Sequence, residues 1–150
     1  VADAGGSGAV IDGADYQSMS AIPVQRWRTV YRRTDATQAR PYRDDVEALE
    51  AAVRATDLPL ALRDDRRQRA RIEFGPPLPP GALANEELVD LYLVERWPAA
   101  KVRERLAAAF GDERELVELH DVWLRAPGLA ASIVAADYLV TLSRSSSADA

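Results

Sequence analysis

At 150 residues with 47% apolar content, the chain is sized for one domain with its own core. It holds 19 Lys and Arg against 24 Asp and Glu and no Cys, which excludes disulfides, thiolate metal sites, cysteine nucleophiles and a cysteine-ligated iron–sulfur cluster within this chain. The charge is uneven: Arg26–Arg71 carries 12 Arg against 8 acidic residues, and the remainder carries 7 basic against 16 acidic. A local basic excess can meet RNA or an acidic partner, but the plainer reading is a solvated face, since nucleic-acid domains are usually basic in total.

Val1–Ile22 is rich in Gly, Ala, Ser and Asp and reads as a disordered tail or a linker from a preceding domain. It has no basic n-region and no apolar h-region, so it does not read as a secretory signal. The missing initiator Met suggests a fragment or a processed end. The first strand is expected over Arg26–Arg32. Pro41 and Asp44-Asp45 open a helix to about Thr56, with the acids facing the positive end of the macrodipole and Val46, Leu49 and Val53 on one face. Leu60–Leu62 is a brief extended piece, followed by the polar run Arg63–Arg69. Ile72 and Phe74 alternate around Glu73 as a short strand. Gly75-Pro76-Pro77 stops it, and Pro79-Pro80-Gly81 extends the break as a stiff connector. Val89, Leu91 and Leu93 alternate with Asp90 and Tyr92 as a second half-buried strand.

Trp97-Pro98 begins a second helix whose stripe is Val102, Leu106 and Phe110, closed by Gly111. Leu116–Leu124 reads as a strand whose apolar parity changes at His120-Asp121, a bulge signal. Pro127–Val134 is a short helix or turn, and Tyr138, Val140 and Leu142 alternate in a last strand. Ser143–Ala150 is a polar tail, and no internal repeat is present. The order strand, helix, strand, strand, helix, strand predicts an α+β, ferredoxin-like split βαβ (βαββαβ) fold. Its sheet would be mixed and mostly antiparallel, with helices on one face and a short helix and strand appended. The ordered domain is expected over residues 23–142. No apolar run approaches the roughly 18 residues of a membrane span, and the lack of Cys fits a cytoplasmic setting.

Three stretches together resemble a known family. They are Leu58-Pro59-Leu60-Ala61 with Arg71–Gly81, Glu87–Leu93, and Ala126–Ile133 leading into Ala135-Ala136-Asp137-Tyr138. Pro23–Leu142 resembles the bacterial DUF2344 family, radical SAM-linked proteins that occur fused to, or beside, a cobalamin-binding radical SAM protein. Members carry Ser-His-Leu-Asp at the head of the first helix, where this chain has Pro41-Tyr42-Arg43-Asp44. They also carry a histidine-bearing segment where this chain has Arg63–Ala70. The spacing is kept and the histidines are replaced. Imidazole ligates metals and shuttles protons near neutral pH; guanidinium does neither.

The resemblance implies an accessory module for a radical SAM protein or fused radical SAM domain. It implies no catalytic residue and no cofactor in this chain: iron–sulfur cluster, S-adenosylmethionine and cobalamin would sit in the partner. The binding surface is expected at Asp44, Arg63, Arg66, Arg67 and Arg69, the positions of the family's two polar motifs. The alternative is an RNA-binding module using Arg63–Arg71 and the Arg26–Arg43 surface; a hydrolase or transferase around Asp44 ranks last. Metal binding is not expected. His120, the only histidine, reads as a hydrogen-bonded structural residue rather than a base, which would need a second group and a pocket. Asp44-Asp45 read as helix-capping acids, Glu86-Glu87 and Glu113–Glu118 as solvated faces, and Pro76–Pro80 as a rigid turn rather than a proline-rich ligand. Gly5-Gly6-Ser7-Gly8 lacks the strand and lysine of a phosphate loop. Trp27, Trp97 and Trp123 read as packing residues.

Overall fold

The computed structural model describes residues 22–37, 40–79 and 81–142. The elements in chain order are β1 (Gln25–Arg33), α1 (Tyr42–Arg54), β2 (Ile72–Phe74), β3 (Glu87–Leu93), α2 (Ala99–Phe110), β4 (Arg114–Asp121) and α3 (Leu129–Ser132), with a 3₁₀ turn at Asp35–Thr37. The strands form one open sheet in the order β2-β3-β1-β4, and every pairing is antiparallel. β3 lies between β1 and β2, and β1 lies between β3 and β4, so the two βαβ halves interlock. This is the expected ferredoxin-like arrangement.

The helix stripes explain the core. Leu49 and Val53 of α1, and Val102, Leu106 and Phe110 of α2, pack on the sheet face carrying Trp27, Tyr31, Ile72, Val89, Leu91 and Leu93. Helical spacing puts each stripe on one side, and strand alternation puts the sheet residues on one face. Gly111 closes α2 at φ 54°, a conformation that glycine adopts without a Cβ clash. Leu116 and Leu119 both pack against this core although they are three residues apart. The β1–β4 register slips between Val30 and Tyr31, which pair with Glu118 and Leu116 and leave Val117 as the extra residue. The parity change is therefore real, but the bulge lies at Val117 and not at His120-Asp121.

Three other expectations are corrected. Alternation along β3 puts Asp90 and Tyr92 on the side away from the core, yet both are buried. The reason is α3, which packs on β2 and β3 from the face opposite the other helices, with Leu129 fully buried. Helices thus cover both faces. Second, residues 133–142 form no strand, and Tyr138, Val140 and Leu142 are exposed. Alternation encodes a capacity to pair but supplies no neighbour. The chain leaves α3 with Ile133 beside Gly75, where the adjoining Pro76-Pro77 has no donors for a ladder. Third, Trp123 is 72% exposed, whereas Trp27 is in the core. The tails at 1–21 and 143–150, with the glycine-rich stretch in the first, lie outside the described residues, as does Pro80 of the connector.

Candidate functional site

The covered face of the sheet holds a charge network built by strand alternation. Arg26 and Arg28 of β1 and Asp90 of β3 lie on the side away from α1 and α2, and Arg28 pairs in register with Asp90. Arg26 is 1% and Asp90 0% exposed, so each charge needs a partner within the fold. Arg26 donates from Nε (2.9 Å) and Nη2 (2.5 Å) to Asp90 Oδ2, from Nη1 to Ala126 O (2.9 Å), and from Nη2 to Pro127 O (3.0 Å). Four of its five N–H groups are thereby used. Arg28 donates from Nε to Asp90 Oδ1 (2.8 Å) and from Nη2 to Oδ2 (2.9 Å), a bidentate pairing that raises its own pKa, chiefly through the hydrogen bond.

Glu73 of β2 extends the network toward the sheet edge. Its Oε1 accepts from the Tyr92 hydroxyl at 2.7 Å, and its Oε2 accepts from the Leu129 N–H at 3.1 Å. Burial and this hydrogen bond push the Tyr92 hydroxyl up to about 12. Gly128 lies close to this carboxylate: a Cβ there would come to 3.3 Å from Glu73 Oε2, so a side chain would push Glu73 by a few tenths of an ångström. The stretch Ala126–Leu129 is thus the lid of the network.

Beyond Tyr92 the sheet opens into a groove of about 620 Å³. Arg63, Asp64, Arg71 and Glu73 supply its charge, and Ile22, Pro23 and Leu62 supply its apolar wall. Arg71 lies over the Tyr92 ring at 4.3 Å from the centroid, with Arg26 over the same ring at 5.4 Å. Arg63 Nη2 donates to Ile72 O at 2.6 Å. The loop above the groove is closed by Asp65, whose Oδ1 accepts from the Arg67 N–H at 3.1 Å, an Asx-type turn, and by Arg63 N–H on Arg69 O at 2.7 Å. Asp65 also pairs with Arg69 at 3.1 Å. Desolvation opposes its ionisation, but the bonds from Arg69 and Arg67 outweigh that effect and lower its pKa. Arg66 and Arg67 are exposed.

The opposite end of the sheet carries a second polar cluster. Asp45 is buried, hydrogen-bonded by Arg114, and 3.6 Å from both Arg33 Nε and Arg40 Nη1. It makes no side-chain cap on α1, so the capping role expected of it is replaced by a buried ion-pair hub. Burial raises the Glu87 carboxyl and drives the Tyr31 hydroxyl far above its ordinary range; these two share a 2.7 Å hydrogen bond. Arg40 holds the Glu113 carboxyl down to about 2 through a 2.5 Å bidentate pair.

The five residues expected to share a surface divide between these ends. Arg63, Arg66, Arg67 and Arg69 sit on the groove loop, whose base, Ala61, hydrogen-bonds Tyr92 beside Arg26. Asp44 is exposed on the first turn of α1, next to Asp45 and thus near Arg33. Arg26 and Arg33 are seven positions apart on β1, about 23 Å at ~3.3 Å per strand residue. Asp44 is therefore not brought to the arginines. His120 is exposed, with Nε2 2.7 Å from Glu118 Oε2. Among the described residues no group of three or more His, Asp and Glu side chains is placed to hold a metal ion, and no helix is long and apolar enough to cross a membrane. Sequence reasoning missed the Arg26–Asp90–Glu73 network. Its one sequence signal was the alternation of Arg26 and Arg28 opposite Asp90, the acid in the middle of a mostly apolar strand.

Comparison with known proteins places residues 26–150 within a family model described as an uncharacterised protein conserved in bacteria, DUF2344. No curated protein and no solved structure matches the chain.

Proposed function

The chain belongs to the DUF2344 family of bacterial proteins, and from that premise we propose that it is an accessory module, without catalysis of its own, for a cobalamin-binding radical SAM protein in the cytoplasm. The observation that carries this reading is the exposed apolar run after α3. Val134 is 96% and Leu139 95% exposed, and Tyr138, Val140 and Leu142 alternate along the same exposed stretch, which forms neither helix nor strand. Contiguous exposed apolar surface marks a protein contact, and an extended segment with alternating side chains suits addition to a partner's sheet edge. Cluster, S-adenosylmethionine and cobalamin belong to the partner in this reading. The test is a titration of purified radical SAM protein from the same genome with the full chain. Binding is expected, and the double change Leu139→Asp, Val140→Asp, on exposed positions, should abolish it. Equal binding by the double variant, or no binding by the native chain, contradicts the reading.

A second reading, RNA binding, is favoured by one observation: Arg66 and Arg67 project from a tight loop beside Arg63 and Arg71. Affinity for a single strand would then fall with salt as counterions are released. Replacing Arg66, Arg67 and Arg69 together by Ala should flatten that slope by about 0.7 for each phosphate no longer neutralised.

A further inference from the structure

We infer that the groove lined by Arg63 and Arg71 is a binding site for the phosphate of a nucleotide, whose sugar and base lie on the apolar wall of Pro23 and Leu62. The inference is independent of docking through residues 134–142. It rests on the same arginine-bearing region as the RNA reading but not on a polymer.

The two cations are pre-positioned. Arg71 is seated on a buried ring, and that ring is itself pinned by the Tyr92–Glu73 hydrogen bond. Arg63 is tied to the β2 backbone. Immobilised guanidinium groups lose less freedom on binding, which favours affinity. Among the described residues neither Arg63 nor Arg71 has a carboxylate within ion-pair distance, whereas Arg69 is engaged by Asp65. Glu73, one of the two acids lining the groove, is already committed to Tyr92 and Leu129 and lies 3.8 Å from Arg26. Asp64 is the groove's remaining acid and offsets one cation.

The chemistry of this set is specific. Two guanidinium forks match the several oxygens of a phosphate better than a single carboxylate. The apolar wall beside them favours a ligand with a flat, uncharged portion over a bare ion. A volume of about 620 Å³ lies within the ~300–1,000 Å³ of small-molecule sites.

The test is calorimetric titration of the full chain at low salt with uridine monophosphate, uridine and oligouridylate. The variants are Arg63→Ala, Arg71→Ala, Arg71→Lys, Asp64→Asn and the pair Arg66→Ala, Arg67→Ala, each checked for an unchanged circular-dichroism melt. The monophosphate should bind and uridine should not. Arg63→Ala and Arg71→Ala should each weaken binding by about tenfold or more, the cost of a hydrogen bond to a charged group. Arg71→Lys should restore little, and Asp64→Asn should tighten binding. No binding of the monophosphate, or equal binding by the Arg63→Ala and Arg71→Ala variants, overturns the site. Oligouridylate binding that depends on Arg66 and Arg67 but not on Arg63 or Arg71 also overturns it, while leaving the RNA reading intact. Monophosphate binding without oligouridylate binding supports the site and removes the RNA reading.

Discussion

Asp90 accepts four hydrogen bonds from two guanidinium groups while fully buried in the sheet. Its strand was readable, because Val89, Leu91 and Leu93 alternate. Its burial was not, because alternation tells which face a side chain takes and says nothing of what covers that face. The cover is Ala126–Leu129, which lies beyond both α2 and β4 in the chain. Removing the carboxylate strands the Arg26 charge, so Asp90→Ala should cost about 3–5 kcal/mol in urea unfolding, the usual penalty for breaking a buried pair from one side. Replacing Arg26 and Asp90 together by apolar residues, Arg26→Met with Asp90→Leu, should recover the part of that loss owed to the stranded Arg26, while Arg28, whose side chain is 20% exposed, still loses its carboxylate. Equal instability of the single and double variants would show that the pair stabilises through more than mutual compensation.

At the scale of elements, the helix stripes and central strands were legible because their periodicity is local. The bulge was legible as a parity change, but its place was set by which residue of β1 each β4 residue meets. The last expected strand fails for the same reason in stronger form, since pairing needs a neighbour. Leu106 lies at the centre of the α2 stripe with no exposed surface. Leu106→Ala should therefore lower stability by about 2–5 kcal/mol through lost burial and a cavity. Leu139→Asp, on the exposed run, should leave the melting temperature close to native, since exposed substitutions are usually within about 0.5 kcal/mol. A large loss there would mean the run packs on the domain.

For the whole molecule, the βαββαβ order determined the fold class, and the interlocked sheet follows from it. The sequence-matched polar motifs did not define one site. Helix α1 runs back along β1, so Asp44 starts at the end of the sheet opposite to the arginine loop. The titrating groups give the fold an alkaline limit. Tyr31 and Tyr92 keep their protons in the folded state above the ordinary tyrosine value, Tyr92 up to about 12. Their stabilising contribution is full below the unfolded value of about 10 and is lost as pH rises past it, because only the unfolded chain then gains by ionising. The melting temperature should fall between about pH 10 and 12, and Tyr92→Phe should shallow that fall. On the acid side, Glu113 contributes stability above the ordinary carboxylate value of about 4.3 that is lost as pH drops toward 2. Its partial exposure keeps that contribution small.

The contact proposed between the exposed apolar run and a radical SAM protein can be read from amide hydrogen exchange over residues 134–142, with and without saturating radical SAM protein. Free, these amides have no sheet partner and should exchange at nearly unprotected rates. Bound, alternate amides should become strongly protected, as addition to a sheet edge requires. Unchanged exchange over 134–142 in a complex that demonstrably forms would place the contact elsewhere on the domain and rule out this run.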